Sequence, residues 1–302
     1  MRVVFVLSRL GTGGAPIQVV TLAREMRRMG HHAVLVTGPH DPRHDGDMSY
    51  LLEPDDDIRW IPEMTRSLYP WKDLLALWHL WRVIRTVRPS IVHTHTAKAG
   101  LLGRLAAHLA GVPVVVHTFH GNVFNGYFPA PLAWLIKRIE RCLAHVSDGI
   151  CVLSNQQAKE IAGCLGSAAR SKIRTVPLGL ELQPFFRLEK SPPPDDYFVV
   201  GWLGRFVPVK NLELLVSVIE ETLRRTDRVR FLVAGDGPQR KIIESAVSRF
   251  GSSRVRWDGW LQNVAPFISQ CHTLIQTSRN EGTPISLIQG MAAARPFLST
   301  AA

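Results

Sequence analysis

Cysteine is scarce in this chain. The 302 residues hold four, Cys142, Cys151, Cys164 and Cys271, with no Cys-x-x-Cys pair among them. That spacing excludes a cysteine zinc cluster and a disulfide framework, and fits a reducing compartment. Long apolar runs are lacking too. No stretch reaches the roughly 18 residues of a membrane span, and the opening MRVVFVLSRLGTGG is broken by glycines before it could serve as a signal-peptide core. The expectation is a cytoplasmic protein, soluble or peripheral on the inner face of a membrane. Neither a long Lys/Arg run nor a nucleic-acid-binding motif is present, so nucleic acid is not an expected partner. No cluster has metal-ligand spacing, and no metal is expected.

What is present is an ordinary globular composition with an excess of positive charge. Hydrophobic residues make up 46% and charged residues 20%, enough apolar content to exclude wholesale disorder. At this length two domains, each with its own core, are expected. A formal charge of +11 calls for an anionic partner, either phosphorylated small molecules or phospholipid headgroups. The segment Trp71 to Arg88 carries Leu74, Leu75, Leu77, Trp78, Trp81 and Ile84 at near-helical spacing, with Lys72, Arg82, Arg85 and Arg88 interspersed. Such a stretch reads either as a helix packed on its own sheet or as a helix that touches an anionic membrane surface.

Short β-branched runs alternate with amphipathic stretches, the pattern of parallel sheets covered by helices. Expected strands are Val3–Leu7, Ala33–Thr37, Ser90–Thr94, Val114–Thr118 and Gly149–Leu153. Helices are expected over Gln18–Met29, Ala99–Ala110, Pro131–Ala144 and Gln156–Cys164. The proline and acid cluster within Leu182–Asp196 reads as a linker. A second series of strands follows: Phe198–Leu203, Arg230–Ala234, Val255–Asp258, Thr273–Gln276 and Pro296–Ser299. Both series open on a strand, a glycine-bearing loop and a helix. The fold class expected is therefore α/β, with two Rossmann-like domains, residues 1–186 and 187–302, facing each other across a cleft. The chain ends on an apparent strand with no covering helix after it, so the second domain is expected to be incomplete.

In open α/β sheets, ligands bind beyond the carboxyl ends of the strands. The loop Gly11-Thr12-Gly13-Gly14-Ala15-Pro16 lets a backbone approach a diphosphate at a helix start. Pro16 sits where the dinucleotide fingerprint needs its third glycine, which argues against a nicotinamide-dependent oxidoreductase. His120 ends a strand beside Gly121, placed to meet a sugar hydroxyl or phosphate, and His93 and His95 occupy the strand before. Arg205 and Lys210 offer a bidentate guanidinium and a point-like ammonium, a suitable clamp for two phosphates, with Asn211 as cap of the next helix. In Arg279-Asn280-Glu281-Gly282-Thr283-Pro284, Thr283 reads as the cap and Pro284 as the first residue of a helix whose N-terminal amides suit an anion. Glu281 lies in the loop as an acceptor for sugar hydroxyls, and Gln289 lies within the helix.

Together these residues resemble glycosyltransferase family 4, retaining enzymes of the GT-B fold. The resemblance is carried by Gly13-Gly14-Ala15, His93 to Gly100, His117 to Gly121, Val176-Pro177, Gly204-Arg205 with Lys210, Gly235-Asp236-Gly237-Pro238 and Glu281 to Pro284. It implies transfer of a hexose or N-acetylhexosamine from a nucleotide-sugar donor to a lipid-linked or polysaccharide-precursor acceptor. It implies that Arg205 and Lys210 hold the donor diphosphate, with Gly13, Gly14 and Thr283 nearby, and that Glu281 contacts the transferred sugar. It further implies that His120 stands beside the reacting centre, that Gln289 and Gly259 meet the nucleoside, and that no cofactor is used. Two positions depart from the pattern. Gln289 replaces the family's second glutamate, and Ala294 stands where glycine is usual. A UDP-sugar 2-epimerase of the same fold, or a degenerate sugar-nucleotide-binding protein, is the alternative expectation.

Overall fold

A computed structural model describes residues 1–40, 46–65, 69–121, 130–189 and 196–301. Pro192, Pro193 and Pro194 of the linker reading lie outside the described residues. The chain divides into two compact units, with the changeover between Leu180 and Glu181.

The first unit runs β1 (Arg2–Arg9), α1 (Gly14–Arg28), β2 (His32–Gly38), β3 (Asp57–Trp60), α2 (Pro70–Val87), β4 (Ile91–His95), α3 (Ala97–Ala110), β5 (Val114–Phe119), α4 (Ala130–His145), β6 (Gly149–Val152), α5 (Asn155–Leu165), α6 (Ser167–Arg170) and β7 (Ile173–Thr175). Its seven strands form one sheet in the order β3-β2-β1-β4-β5-β6-β7, every pairing parallel. Successive strand residues point to opposite faces. Val4 and Val6 accordingly pack against Ala76, Leu80, Ile84 and Leu102 of α2 and α3, while Val3, Phe5 and Leu7 pack against Val19, Val20 and Ala23 of α1. Burial on both faces is why β1 reads as an unbroken apolar run.

The second unit runs α7 (Gln183–Phe186), β8 (Phe198–Leu203), α8 (Leu212–Arg225), β9 (Val229–Ala234), α9 (Arg240–Phe250), β10 (Val255–Trp257), α10 (Ala265–Ser269), β11 (Thr273–Gln276), α11 (Ile285–Ala292) and β12 (Phe297–Ser299). Its sheet has the order β10-β9-β8-β11-β12, again all parallel. The unit begins before residue 187 because Phe185 of α7 is buried with Leu274 and Leu287 in the second core.

In each sheet the strand order reverses once, between β1 and β4 and between β8 and β11. The connections leave in opposite directions there, which opens a crevice at the carboxyl ends of those strands.

The helical reading of Trp71–Arg88 is half right about burial. Leu77, Trp81 and Ile84 pack on the core. Trp71, Leu74, Leu75 and Trp78 are exposed, Trp71 by 80%. The helix starts at Pro70, and the Asp73 carboxylate in its first turn accepts from the Tyr69 amide at 3.1 Å, satisfying one donor at the helix start.

Candidate functional site

At the first switch point, Gly13 caps α1 with φ 156° and ψ 176°, a conformation open essentially to glycine alone. A Cβ at Gly13 would meet nothing within 4 Å, so the constraint is backbone conformation and not crowding. Gly14 is the first residue of α1, which starts earlier than the expected Gln18. Across the switch, the Ser8 hydroxyl on β1 is 2.6 Å from the Thr96 hydroxyl after β4 and accepts from the Ala99 amide at 3.2 Å. Ser8 thereby satisfies an otherwise unpartnered amide in the first turn of α3.

Beside it lies a nest of histidines from β4 and β5. His93 Nε2 is 2.7 Å from the Thr118 hydroxyl, and His117 Nδ1 is 2.9 Å from the Thr94 hydroxyl. His95 Nδ1 is 3.0 Å from His120 Nε2. His95 and His117 are fully buried, with Arg104 and Glu140 paired at 2.7 Å near by. Loss of water holds all four rings neutral. His93 and His120 are pushed down to about 4, His93 by burial and then by His120, and His120 by burial. His95 and His117 lie well below the ordinary imidazole value, again by burial first, with the Arg104 charge adding to the effect on His117. Gly100 makes room for this nest: a Cβ there would stand 2.5 Å from His117 Cε1.

Sequence reasoning missed one support of this corner. Ser154 caps α5 by accepting from the Gln157 amide at 3.1 Å, and the Gln157 side chain accepts from the Leu153 amide at 2.7 Å. The same side chain donates to the Phe119 carbonyl at 3.2 Å, fixing the residue before His120. The Ser-x-x-Gln spacing at 154–157 was the available signal.

The second switch point brings two expected residues into direct contact. The Lys210 ammonium pairs with Glu281 Oε1, and the same oxygen accepts from the Gln276 amide and the Ser278 hydroxyl, each at 2.5 Å. Both partners of the ion pair are partly buried, at 18% and 17% exposure. The Thr277 hydroxyl donates to the Lys210 carbonyl at 2.8 Å and accepts from Trp202 Nε1 at 3.2 Å. The Arg279 amide donates to the Val209 carbonyl at 2.8 Å. The loop after β8 is thus fastened to the loop after β11. Gln276, Thr277 and Ser278 had not been singled out, although three polar residues closing a buried strand mark it.

Arg205 sits in the loop after β8, partly exposed. Asn211 is at the start of α8 as expected, but in the left-handed region (φ 54°) with no side-chain cap bond; its Oδ1 accepts from Arg279 at 3.3 Å instead. Thr283 is not the cap of α11. That place falls to Pro284, with ψ 92°, and the helix begins at Ile285, so the anion-facing amides start one residue later than expected. Gln289 lies within α11, partly exposed, and Gly259 follows β10 with φ 68°. Ala294 does stand in the left-handed region, at φ 55°. Among the described residues no group of three or more His, Cys, Asp or Glu side chains is arranged to hold a metal ion.

Two doubly wound parallel-sheet units, each with its polar loops at a switch point, define a protein of the GT-B glycosyltransferase class. The family profile of the Glycosyl transferase 4-like domain matches residues 13–179, and that of the Glycosyl transferases group 1 domain matches residues 197–302. The chain belongs to this glycosyltransferase family. It is 28% identical over 263 residues to the UDP-Gal:alpha-D-GlcNAc-diphosphoundecaprenol alpha-1,3-galactosyltransferase of Escherichia coli, covering 81% of this chain and 66% of that protein. It is 21% identical to the alpha-monoglucosyldiacylglycerol synthase of Acholeplasma laidlawii, covering 94% and 76% of the two. Among solved structures, Anabaena HepE in complex with UDP and glucose superposes with a TM-score of 0.78 at 17% identity, over 100% of this chain and 81% of that one.

Proposed function

We propose that this chain is a retaining glycosyltransferase that moves a hexose or N-acetylhexosamine from a UDP-sugar to a lipid-linked acceptor, without a cofactor. The observation that carries this reading is the polar constellation at the second switch point, where Glu281 and Lys210 are fastened together by Gln276 and Ser278. A departing nucleoside diphosphate gains negative charge as the anomeric carbon becomes cationic, so fixed positive groups lower the barrier. Arg205 and Lys210 supply them, with Gly13, Gly14 and the turn at Thr283 offering backbone amides. Glu281, whose Oε1 is taken up by its three donors, presents Oε2 to a sugar hydroxyl. His120 meets the same sugar, and Gln289 and Gly259 meet the nucleoside. The leaving phosphate takes the acceptor's proton as the acceptor attacks from the face of departure.

The uridine and the lipid-linked acceptor rest on the relatives' named substrates. An anionic membrane surface at the cytoplasmic face is supported by Trp71, Leu74, Leu75 and Trp78 on α2, exposed beside Lys72 and Arg82. Amphipathic helices with this mix of aromatic and basic residues settle at headgroup level. No described helix is long and apolar enough to cross a membrane.

The test is a panel of nucleotide sugars screened by thermal shift, followed by transfer assays on undecaprenyl-diphosphate-linked sugars in vesicles. A UDP-sugar should stabilise the protein and be turned over only with acceptor present. Arg205→Ala or Lys210→Ala should each weaken UDP binding by about 1.5 to 3 kcal/mol. Release of free epimerised sugar without acceptor would establish the epimerase reading instead. Cosedimentation with phosphatidylglycerol vesicles, lost in Trp71→Ala/Trp78→Ala and absent with phosphatidylcholine, tests the surface.

A further inference from the structure

The pair His95–His120 has a proton to place. At 3.0 Å between His95 Nδ1 and His120 Nε2, one nitrogen must donate and the other accept, and with both rings neutral only two arrangements exist. They differ in what they leave on the far side of each ring. His95 is fully buried, and its Nε2 has no hydrogen-bond partner among the described residues. If His120 donated from Nε2, then His95 would accept at Nδ1 and carry its own proton on Nε2, an N–H sealed in the core with nothing to receive it. If His95 donates from Nδ1, its Nε2 is a bare lone pair. Buried orphan N–H groups are the rarer of the two kinds of defect.

The neighbouring histidines lack this constraint. His93 and His117 each face a threonine hydroxyl, which donates or accepts as required. Among the described residues, His95 and His120 have no ring-nitrogen hydrogen-bond partner but each other, so one ring dictates the other's tautomer.

We infer that His95 is a positioning residue: donating from Nδ1, it holds the His120 imidazole in the Nδ1–H tautomer and leaves that N–H as the ring's outward hydrogen-bond donor. His120 is partly exposed, and its Nδ1 is bonded to no described residue. Its complement is therefore an acceptor, a hydroxyl or phosphate oxygen of the donor substrate. Because Nε2 is occupied and the ring stays neutral down to about 4, His120 gives a hydrogen bond and does not remove a proton. This deepens the proposed function and rests on its placement of His120 at the donor sugar.

The experiment is nitrogen-15 NMR of histidine-labelled protein at neutral pH, combined with kinetics on UDP-glucose, UDP-galactose and UDP-N-acetylglucosamine. His120 should show the Nδ1–H pattern in the unaltered protein and in His95→Asn, whose amide N–H stands near the place of Nδ1. In His95→Phe the donor is gone, and His120 should move toward the Nε2–H form that free imidazole prefers. Turnover in His95→Phe should fall by about 10- to 100-fold, taking as the scale what is lost when the outer partner of a metal-bound histidine is removed. The KM for the donor should move little, and His95→Asn should recover most of the loss. An Nε2–H pattern for His120 in the unaltered protein would overturn the inference, whatever the variants do. The expected tautomers together with full turnover in His120→Ala would leave the positioning intact and refute the placement of His120 at the donor.

Discussion

Histidines buried without counter-charge make a protein sensitive to acid. For His93 and His120 the folded value is depressed to about 4, below the roughly 6.5 of an unfolded histidine. The unfolded chain then binds more protons than the folded one between those values, so stability is fully present above about 6.5 and is lost as pH falls toward 4. The melting temperature should be flat from pH 8 to 7 and drop steeply by pH 5; a flat profile to pH 5 would show that the rings are hydrated. At Ala294, φ 55° places an L-residue where left-handed backbone costs about 1 to 2 kcal/mol. Ala294→Gly should therefore raise unfolding stability by up to about 1 kcal/mol after the glycine's own entropy is counted, read from urea denaturation. Both residues were legible in the sequence, His120 by its place at a strand end and Ala294 by its departure from glycine. The pairing of His95 with His120 was not. Which ring nitrogen meets which depends on side-chain directions that two adjacent parallel strands set between them, and no spacing along one strand encodes that.

At the level of elements, the alternation of apolar runs and helical stretches was enough to locate ten of the twelve described strands, because most are buried parallel strands and these are continuous in apolar, often β-branched residues. β3 and β7 were not anticipated. They lie at the two edges of the first sheet, are four and three residues long, and carry no fully buried residue, so they lack the apolar run that betrays a central strand. The start of α11 was misplaced by one residue for a different reason: threonine before proline is a good cap by composition, yet the backbone turns helical only after Pro284. Gly100 illustrates how a helix and a strand fix each other. Since a Cβ there would stand 2.5 Å from His117 Cε1, Gly100→Ala must displace a buried ring, and overpacking of this kind costs about 1 to 3 kcal/mol. Chemical denaturation should show that loss, whereas Gly163→Ala on α5, where an added Cβ meets nothing, should show none.

For the whole molecule, two sheets of unequal size solve the same problem with the same device. In the first, hydroxyls of Ser8 and Thr96 meet across the switch; in the second, the Thr277 hydroxyl reaches the Lys210 carbonyl. The sequence made the repetition visible as two strand-loop-helix openings, but not these cross-bonds, which join residues 88 and 67 positions apart. At the second switch, Glu281→Gln keeps an acceptor for Gln276 and Ser278 but removes the charge that holds Lys210. Turnover should fall by about 100-fold or more if this carboxylate meets the sugar in the transition state, with a stability loss of only about 1 to 3 kcal/mol. Equal turnover with a large stability loss would make the pair structural.

The Thr277 hydroxyl acts as a latch between scaffold and chemistry. It sits on the segment leaving one central strand and grips the main chain of the loop leaving the other, while the hydrophobic cores are built from different residues altogether. Opening a latch need not bring down the wall on which it is mounted. Thr277→Val removes the grip with little change in volume and leaves Trp202 Nε1 without its acceptor, at a cost of about 1 to 3 kcal/mol, so the sheet should survive with reduced stability while the Lys210 loop gains freedom. Hydrogen exchange should quicken at the Lys210 and Arg279 amides and stay slow through β8 and β11. Uniformly faster exchange across the sheet would mean that the latch is part of the wall.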